Sequence, residues 1–428
     1  MNLNCLLIVP VLSFTLTVAV NGATIHVDAA NCPGPGSGSV RDPYCSIQTA
    51  IDNAVDTDEV VVAAGTYFES INFLGKAIWL HSSDGAEVTV IDGTGFFHVV
   101  QCVSSEGPDT ILDGFTITGG HANGVCCGPD SLGGGMYNED SSPTVINCTF
   151  DENAAARGGG MYNFDSSPTV ANCTFNGNSV AGAGGGMYNR SSSPTITNCT
   201  FSGNSVTDIG GGGGMFNFDG SSPTITNCTF SGNVAFTSGG GITNSSLSIP
   251  TITNCTFSGN VAGSAGEAIY SFSSGSATVT NCIVWGNGFR KISGNPHTIT
   301  YSDVEGGWPG IGNIGSNPMF VDPNNGNYRL QSGSPCIDTG DNTAVPEGVL
   351  RDLDGNPRFV ADACAGESGA TVDMGAYEFQ GTSCDLGTML EMLAAWGSCS
   401  DCGICPADLD GDCSVGILDL LILLGNWG

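Results

Sequence analysis

The sequence has very few basic residues. Lysine and arginine number 9 against 41 aspartates and glutamates, a formal net charge of −32, and charged residues of all kinds make up only 12% of the chain. Proteins that bind nucleic acid or anionic membranes through charge need clustered lysine and arginine. The shortage therefore argues against both classes of partner.

Long apolar runs are absent after residue 23, so no later segment could cross a bilayer as a helix. The single long run, Cys5 to Val20, is followed by the small residue Ala23, a pattern typical of a secretory signal. We expect residues 1–23 to be cleaved and the protein to be secreted or displayed at the cell surface. A short N-terminal membrane anchor is the alternative.

Glycine is abundant, at 65 residues, and it follows a period. From Gly133 to about Tyr270 one phrase recurs: Gly-Gly-Gly-Met-Tyr-Asn, a polar turn, Ser-Pro-Thr-(Ile/Val), then Asn-Cys-Thr-Phe. The cysteines of this phrase are 25, 26, 29, 27 and 27 residues apart, which suits one turn of a parallel β-solenoid. These cysteines are Cys148, Cys173, Cys199, Cys228, Cys255 and Cys282.

The repeat also predicts which side chains face inward. Each phenylalanine follows its cysteine by two positions, so both should point into the coil while the intervening threonine points out. Asparagine tolerates the left-handed backbone needed at a bend, and the glycine triplet supplies a second bend. We therefore predict interior ladders of phenylalanine and cysteine, with asparagine ladders at one corner.

Eighteen cysteines remain after Cys5, an even number in a chain expected to enter an oxidising compartment. Cys32 with Cys45 and Cys336 with Cys364 are plausible disulfides. We expect the ladder cysteines to be buried free thiols, because their parallel side chains make bridging awkward. Disulfides between adjacent ladder positions are the alternative.

Residues 24–118 predict a strand, a short amphipathic helix, a second strand and the first coils. The order of Thr24-Ile-His-Val-Asp, Ser46-Ile-Gln-Thr-Ala-Ile-Asp-Asn-Ala and Glu59-Val-Val-Val-Ala-Ala-Gly-Thr-Tyr resembles the entry segment of pectate-lyase-like right-handed parallel β-helix proteins. This resemblance implies an all-β fold, with the helix covering the open edge of the first coil. Residues 119–300 would supply the repeat coils, whose Phe-x-x-Asn phrases are similar to repeats of polymorphic outer membrane proteins, bacterial surface proteins associated with adhesion.

Residues 301–380 carry a different set of motifs. Asn317-Pro-Met-Phe-Val-Asp-Pro, Asp352-Leu-Asp-Gly and Val372-Asp-Met-Gly-Ala-Tyr-Glu resemble the choice-of-anchor Q region of secreted bacterial β-helix proteins. We expect this segment to cap the last coil.

Residues 384–428 predict a small helical module that binds one calcium ion. Loop positions 1, 3, 5 and 12 are carboxylates, and a backbone carbonyl is available at position 7. The loop resembles a dockerin-type repeat, except that Cys413 stands where glycine normally makes the sharp turn; an acidic loop held by a disulfide is the alternative. The predicted ligands are Asp408, Asp410, Asp412, Ser414 and Asp419.

The helix before this loop is its degenerate twin, displaced by 31 residues and without calcium ligands. Resemblance to dockerins implies that the apolar helices Leu386–Trp396 and Leu418–Trp427 could contact a partner protein. Cys399, Cys402 and Cys405 lie between the two helices, and without a nearby histidine they favour disulfides over zinc.

A row of aromatic residues on the repeats is the candidate glycan site. If the methionine of each Gly-Gly-Gly-Met phrase points inward, the next residue points outward, and sugar rings could stack on the row. A strand shifted by one residue, with these rings in the core, is the alternative. The predicted glycan-binding residues are Tyr137, Tyr162, Tyr188 and Phe216, with Phe164, Arg190 and Phe218 two positions further along three of the strands.

Catalytic residues are not evident. Lyases on this fold need an arginine or lysine base beside calcium-binding carboxylates, and hydrolases need paired carboxylates. The close repeats contain only Arg157 and Arg190, and the acids Asp140, Asp165 and Asp219 form no close pair in sequence. We therefore predict a non-catalytic adhesive or glycan-binding protein that contacts extracellular polysaccharide or cell-surface glycan. A polysaccharide lyase or glycoside hydrolase is the alternative, and a structural surface component is a third possibility.

Overall fold

In a computed structural model of the chain, short strands wind into a parallel β-solenoid, which confirms the predicted architecture. The structure describes residues 22–95, 97–122, 128–360 and 370–381, and within the C-terminal region only residues 397–398, 409, 414–417, 419 and 422. Each complete coil visits four sheets in the order A, B, D, C, and every strand pairs in parallel with the equivalent strand of the next coil.

Sheet A has eleven strands: Thr24–Val27, Glu59–Val62, Trp79–Ser82, Ile111–Asp113, Thr144–Ile146, Thr169–Ala171, Thr195–Thr197, Thr224–Thr226, Thr251–Thr253, Thr278–Thr280 and Thr298–Thr300. Sheet B has ten: Gly65–Phe68, Thr89–Asp92, Thr116–Thr118, Thr149–Asp151, Thr174–Asn176, Thr200–Ser202, Thr229–Ser231, Thr256–Ser258, Ile283–Val284 and Asp303–Val304. Sheet C has nine: Ile71–Asn72, Val100–Cys102, Met136–Glu139, Met161–Phe164, Met187–Arg190, Met215–Phe218, Ile242–Asn244, Ile269–Ser271 and Ile292–Gly294. Sheet D has six: His121–Ala122, Ala154–Arg157, Ser179–Ala183, Ser205–Val206, Val234–Ala235 and Val261–Ala262.

The interior is built from columns of identical side chains, as the repeat predicts. The phenylalanine rings of sheet B stack face to face with centroids 4.7 to 4.9 Å apart. The ladder cysteines are buried and unbridged, and each thiol lies 3.2 to 3.3 Å from the carbonyl two residues earlier. The stacked rings are Phe150, Phe175, Phe201, Phe230 and Phe257.

Asparagine ladders join the coils in three places. The corner asparagines take the predicted left-handed backbone, with φ between 51° and 55°, and amide-to-amide bonds of 3.1 to 3.2 Å link the first four of them. The other two ladders are buried, one within the strands of sheet C and one just after the strands of sheet B, and their amides also bond from coil to coil. The corner ladder is Asn147, Asn172, Asn198, Asn227 and Asn254; the sheet C ladder is Asn138, Asn163, Asn189, Asn217 and Asn244; the sheet B ladder is Asn153, Asn178, Asn204, Asn233, Asn260 and Asn287.

The N-terminal end is closed by the helix Ile47–Asn53, which buries Ile47, Ala50 and Ile51 against the first coil. Ser46 caps the helix, and Glu69 accepts the backbone N–H groups of Ile47 and Gln48, a favourable place for negative charge. Short 3₁₀ turns occur at Ala29–Asn31, Pro129–Ser131, Pro323–Asn325 and Asn342–Ala344. The predicted Cys32–Cys45 disulfide is formed beside this end, with its Cα atoms 5.0 Å apart.

We expected the segment after the coils to cap the last coil. In the structure it also runs back along the side of the solenoid. An antiparallel pair, Phe320–Asp322 with Asn327–Leu330, leads into residues 336–360 and 370–381, which we call the flank segment. The flank segment runs back along the solenoid: Gly375 N–H bonds the carbonyl of Asn281 at 2.8 Å, Ala376 N–H bonds Thr256 Oγ1 at 3.0 Å, and Asn227 donates to the carbonyl of Arg351 at 2.7 Å. These bonds join it to three successive coils, whose asparagines and threonines offer hydrogen-bond partners.

Candidate functional site

The aromatic row points the way that the sequence predicts but is not exposed. Met136, Met161, Met187 and Met215 lie in the core, which excludes the strand shifted by one residue. The following four rings are only 2 to 9% exposed and stack on one another with centroids 5.0 to 5.8 Å apart. The prediction of an exposed stripe is therefore wrong, because the faces of Tyr137, Tyr162, Tyr188 and Phe216 are covered by neighbouring rings, with Leu132 and Ala183 packed beside them.

The rim of this cluster is open to solvent. Phe164 and Phe218 are half-buried, while Arg190 between them is exposed. The Arg190 guanidinium lies 4.9 Å from the centre of the Phe164 ring, the stacking that the sequence suggested. Burial raises the pKa of Tyr188 to about 12, so that ring is a neutral phenol at physiological pH.

A polar groove lies on another side of the solenoid, where the flank segment overhangs the corner between sheets A and B. Its volume is 460 Å³, within the usual range for small-ligand sites. The floor is formed by corner asparagines and sheet B threonines of two successive coils, namely Asn172, Thr174, Asn198 and Thr200, together with Cys173. The wall is formed by Leu353, Asp354, Gly355 and Tyr377 of the flank segment.

An ion pair fixes the wall of the groove. Arg329 donates to both oxygens of Asp354 at 2.5 Å, and its guanidinium lies 5.0 Å from the centre of the Tyr377 ring. Such a two-pronged arginine–carboxylate pair fixes the orientation of both side chains. Burial, and then the negative charge of Asp354, raise the pKa of Tyr377 to about 12.

Buried charged side chains stabilise the loop of the flank segment that forms this wall. Asp352 accepts the backbone N–H groups of Asp354 and Asn356, which shapes the loop tip. Arg358 is fully buried, donates to the carbonyls of Asp373 and Gly375, and has its Nε 3.6 Å from Glu378 Oε2. Burial raises the pKa of Glu378 to about 9 despite the nearby arginine.

This groove was missed by reasoning from the sequence. The phrase Asp352-Leu-Asp-Gly was recognised as a family motif, and its two carboxylates in a tight turn were the available signal. Nothing in the sequence shows which coils the loop lies against, because that depends on how the flank segment folds back.

Only part of the predicted calcium loop is described. Asp408, Asp410 and Asp412 lie outside the described residues, as do the two apolar helices for the most part. Asp419 is 1% exposed, and its two oxygens accept the backbone N–H groups of Leu409 and Gly416, each at 2.6 Å.

Two further structural findings concern metals and cysteines. Among the described residues, no three or more histidine, cysteine, aspartate or glutamate side chains are grouped closely enough to hold a metal ion. Cys336 forms no disulfide with any described residue and donates its thiol to Asp303 Oδ2 at 3.3 Å, while its predicted partner Cys364 lies outside the described residues.

Comparison with known families agrees with the solenoid geometry. The family model described as "Right handed beta helix region" matches residues 77–246 and 135–304, which together span more than half of the chain. The chain belongs to this right-handed β-helix family. No curated protein sequence matches it significantly.

Two solved structures are similar to this β-helix protein. The crystal structure of a pectate lyase has 14% identity and a TM-score of 0.45, over 85% of this chain and 98% of the lyase. A pectin methylesterase from carrot has 10% identity and a TM-score of 0.38, over 64% of this chain and 82% of the esterase. In the part of the chain that the structure describes, no helix is both long and apolar enough to cross a membrane.

Proposed function

We propose that this β-helix protein acts outside the cell as a non-catalytic glycan-binding or adhesive protein. The observation that carries the proposal is the groove between the flank segment and the solenoid. Its floor repeats an amide and a hydroxyl on two successive coils, and its wall carries the ring of Tyr377.

This combination suits a sugar ring better than a flat apolar ligand. Sugars present hydroxyl groups that need donors and acceptors, and amides and hydroxyls supply both. They also present C–H faces that pack on aromatic rings. Equivalent floor residues are about 4.8 Å apart, so neighbouring sugar units would meet the same pair of groups.

The groove favours binding over bond cleavage. Hydrolysis of a glycosidic bond ordinarily uses two carboxylates, one on each side of the bond. Among the described lining residues Asp354 is the only carboxylate, and Arg329 already occupies both of its oxygens. The alternative, a lyase or hydrolase, would need groups supplied from elsewhere.

The test is a pair of hydroxyl deletions, Thr174→Val and Thr200→Val, in one protein. Valine keeps the shape of threonine but removes the Thr200 hydroxyl that accepts from Thr229 at 3.2 Å, so we expect a small fall in melting temperature. Affinity on a glycan array should fall about fivefold or more. Thr195→Val, an exposed threonine on sheet A outside the groove, is the matched control. Unchanged binding by the folded double variant, or release of sugar products from polysaccharides by the wild type, would refute the proposal.

We further propose that the C-terminal loop binds one calcium ion through Asp408, Asp410, Asp412, the carbonyl of Ser414, and Asp419. The ion would tie the loop together, because one calcium ion is coordinated by several oxygen ligands at once. Calorimetric titration of the whole protein should give one chelator-sensitive site that is lost in Asp408→Ala/Asp410→Ala. Two sites, or no calcium-dependent heat, would contradict this. A partner protein on the flanking apolar helices remains part of the proposal.

A further inference from the structure

The repeat coils contain two arginines that no carboxylate neutralises. Residues 133–300 hold four basic side chains against eight acidic ones. Lys291 pairs with Glu305 at 3.3 Å, and Arg290 donates to the carbonyl of Ser264. Arg157 and Arg190 form no ion pair with any described residue, although the chain as a whole carries a large excess of acid.

The two arginines lie over neighbouring rings of one aromatic cluster. The Arg157 guanidinium lies 5.8 Å from the centre of the Tyr188 ring, and Tyr188 stacks on Tyr162 at 5.0 Å. Arg190 lies over Phe164, two residues after Tyr162. The positive charges of both arginines oppose the rise in pKa that burial imposes on Tyr162 and on Tyr188, so both guanidinium groups are close to these phenols.

The aromatic rings hold the guanidinium groups in place without consuming their charge. Arg190 also hydrogen-bonds the Tyr162 hydroxyl. Because each guanidinium has five N–H donors and stacking on a ring uses none of them, most of the donors of both arginines stay available to a ligand. Both side chains are exposed, so a ligand can reach them. Glu139, a carboxylate on the same sheet, accepts the Tyr137 hydroxyl at 2.9 Å.

We propose that Arg157 and Arg190 form an anion site that binds a sulfate ester of a sulfated polysaccharide. One guanidinium fork already matches the two oxygens of a planar carboxylate. Two forks from successive coils offer donors from two directions, which suits a tetrahedral group with three terminal oxygens. This site lies apart from the groove between the flank segment and the solenoid. The proposal therefore goes beyond the function proposed for that groove.

The test compares a sulfated polymer with its own unsulfated backbone and with a polymer that carries carboxylates. Binding of the purified protein is measured by biolayer interferometry to dextran sulfate, to unmodified dextran, and to polygalacturonate as the carboxylate polymer. We expect binding to dextran sulfate that weakens as salt rises, no binding to dextran, and weaker binding to polygalacturonate. Equal or tighter binding to polygalacturonate would overturn the assignment to sulfate.

Variants distinguish binding at this site from attraction of the polymer to any exposed arginine. Arg157→Gln/Arg190→Gln should weaken binding to dextran sulfate by about tenfold or more. Arg157→Lys/Arg190→Lys keeps the charge but loses the guanidinium fork. Its affinity for dextran sulfate should therefore lie between those of the wild type and the glutamine double variant. Arg41→Gln removes an exposed arginine elsewhere and should bind as wild type.

Three results would overturn the proposal: wild-type binding by the glutamine double variant, an equal loss in Arg41→Gln, or no binding of dextran sulfate at low salt. The melting temperature of each variant checks folding, and the single variants Arg157→Gln and Arg190→Gln serve if the double variant does not fold. Thr174→Val/Thr200→Val should keep its affinity for dextran sulfate, so failure of the groove proposal and failure of this one are distinguishable.

Discussion

Asparagine occupies three columns of this solenoid, and its burial decides what each column contributes. At the corner of the first coils, Asn147 and Asn172 are exposed, and their main contribution is a backbone conformation that few other residues accept. In the sheet C ladder, Asn163 and Asn189 are fully buried, so each amide must find its partners in the neighbouring coils. Asparagine therefore stabilises a turn in one column and links neighbouring coils by buried hydrogen bonds in another.

Asp303 is a buried residue whose protonation should affect stability. It is fully buried on sheet B, where it accepts the Cys336 thiol, and burial raises its pKa to about 6. An unfolded aspartate titrates near pH 4. The folded state therefore holds a proton that the unfolded state releases, and stability falls as pH rises from about 4 to about 6.

Asp303→Asn removes this dependence. We expect the melting temperature of the variant, relative to wild type, to rise between pH 4 and pH 6 and then to level off. Thermal unfolding at half-unit pH steps measures it, with the exposed Asp219→Asn as the control. A difference that stays constant across this range would show that Asp303 does not titrate there.

At the scale of the element, the register of each strand is set by the equivalent strands of the coils before and after it. Sheet A keeps its register from Thr144 to Thr298, whereas sheet D shifts register between Ala155 and Arg157. The regular sheets have interior side chains in continuous columns. Removing one member of a column therefore affects the coil on either side.

The buried asparagine ladder gives a direct test of this coupling. Asn189 donates to Asn217 at 2.9 Å and accepts from Asn163 at 2.8 Å. Asn189→Ala leaves a donor and an acceptor without partners, at a cost of about 2–5 kcal/mol in the free energy of unfolding. Urea denaturation measures the cost, and the exposed Asn176→Ala, expected to cost under about 1 kcal/mol, is the control. Equal costs for the two variants would contradict the coupling.

The strands and their inward faces could be predicted because the sequence repeats itself. A two-residue period fixes which side of a strand a residue occupies, and this placed Phe175, Cys173 and Met161 correctly. The same period does not show whether an outward residue reaches solvent. Tyr162 points out of its coil but is covered by Tyr137 and Tyr188, so the predicted stripe was misjudged.

At the scale of the whole molecule, non-repeating segments could not be placed from the sequence. The motifs around Asp352 and Val372 identify a family resemblance, but the docking of the flank segment depends on contacts with Asn227, Thr256 and Asn281, far away in the sequence. The N-terminal helix was predictable, because its apolar face and its cap are local features.

The ladder thiols should respond as one group. In the native protein Cys148 to Cys282 are fully or almost fully buried, so we expect iodoacetamide to leave them unmodified. After unfolding, all six should be alkylated, while Cys32 and Cys45 stay joined. Mass mapping before and after denaturant measures this. Recovery of a disulfide between adjacent ladder cysteines would show that they are not free thiols.

The coil-by-coil pairing also has an evolutionary consequence. Each repeat coil from residue 144 to residue 197 bonds mainly to the coils before and after it, so duplication or loss of one whole coil there would recreate the same junctions. The flank segment has a fixed length and is joined to the coils that carry Asn227, Thr256 and Asn281. Relatives of this protein should therefore differ in length by whole coils before residue 224 and keep a constant number of coils after it.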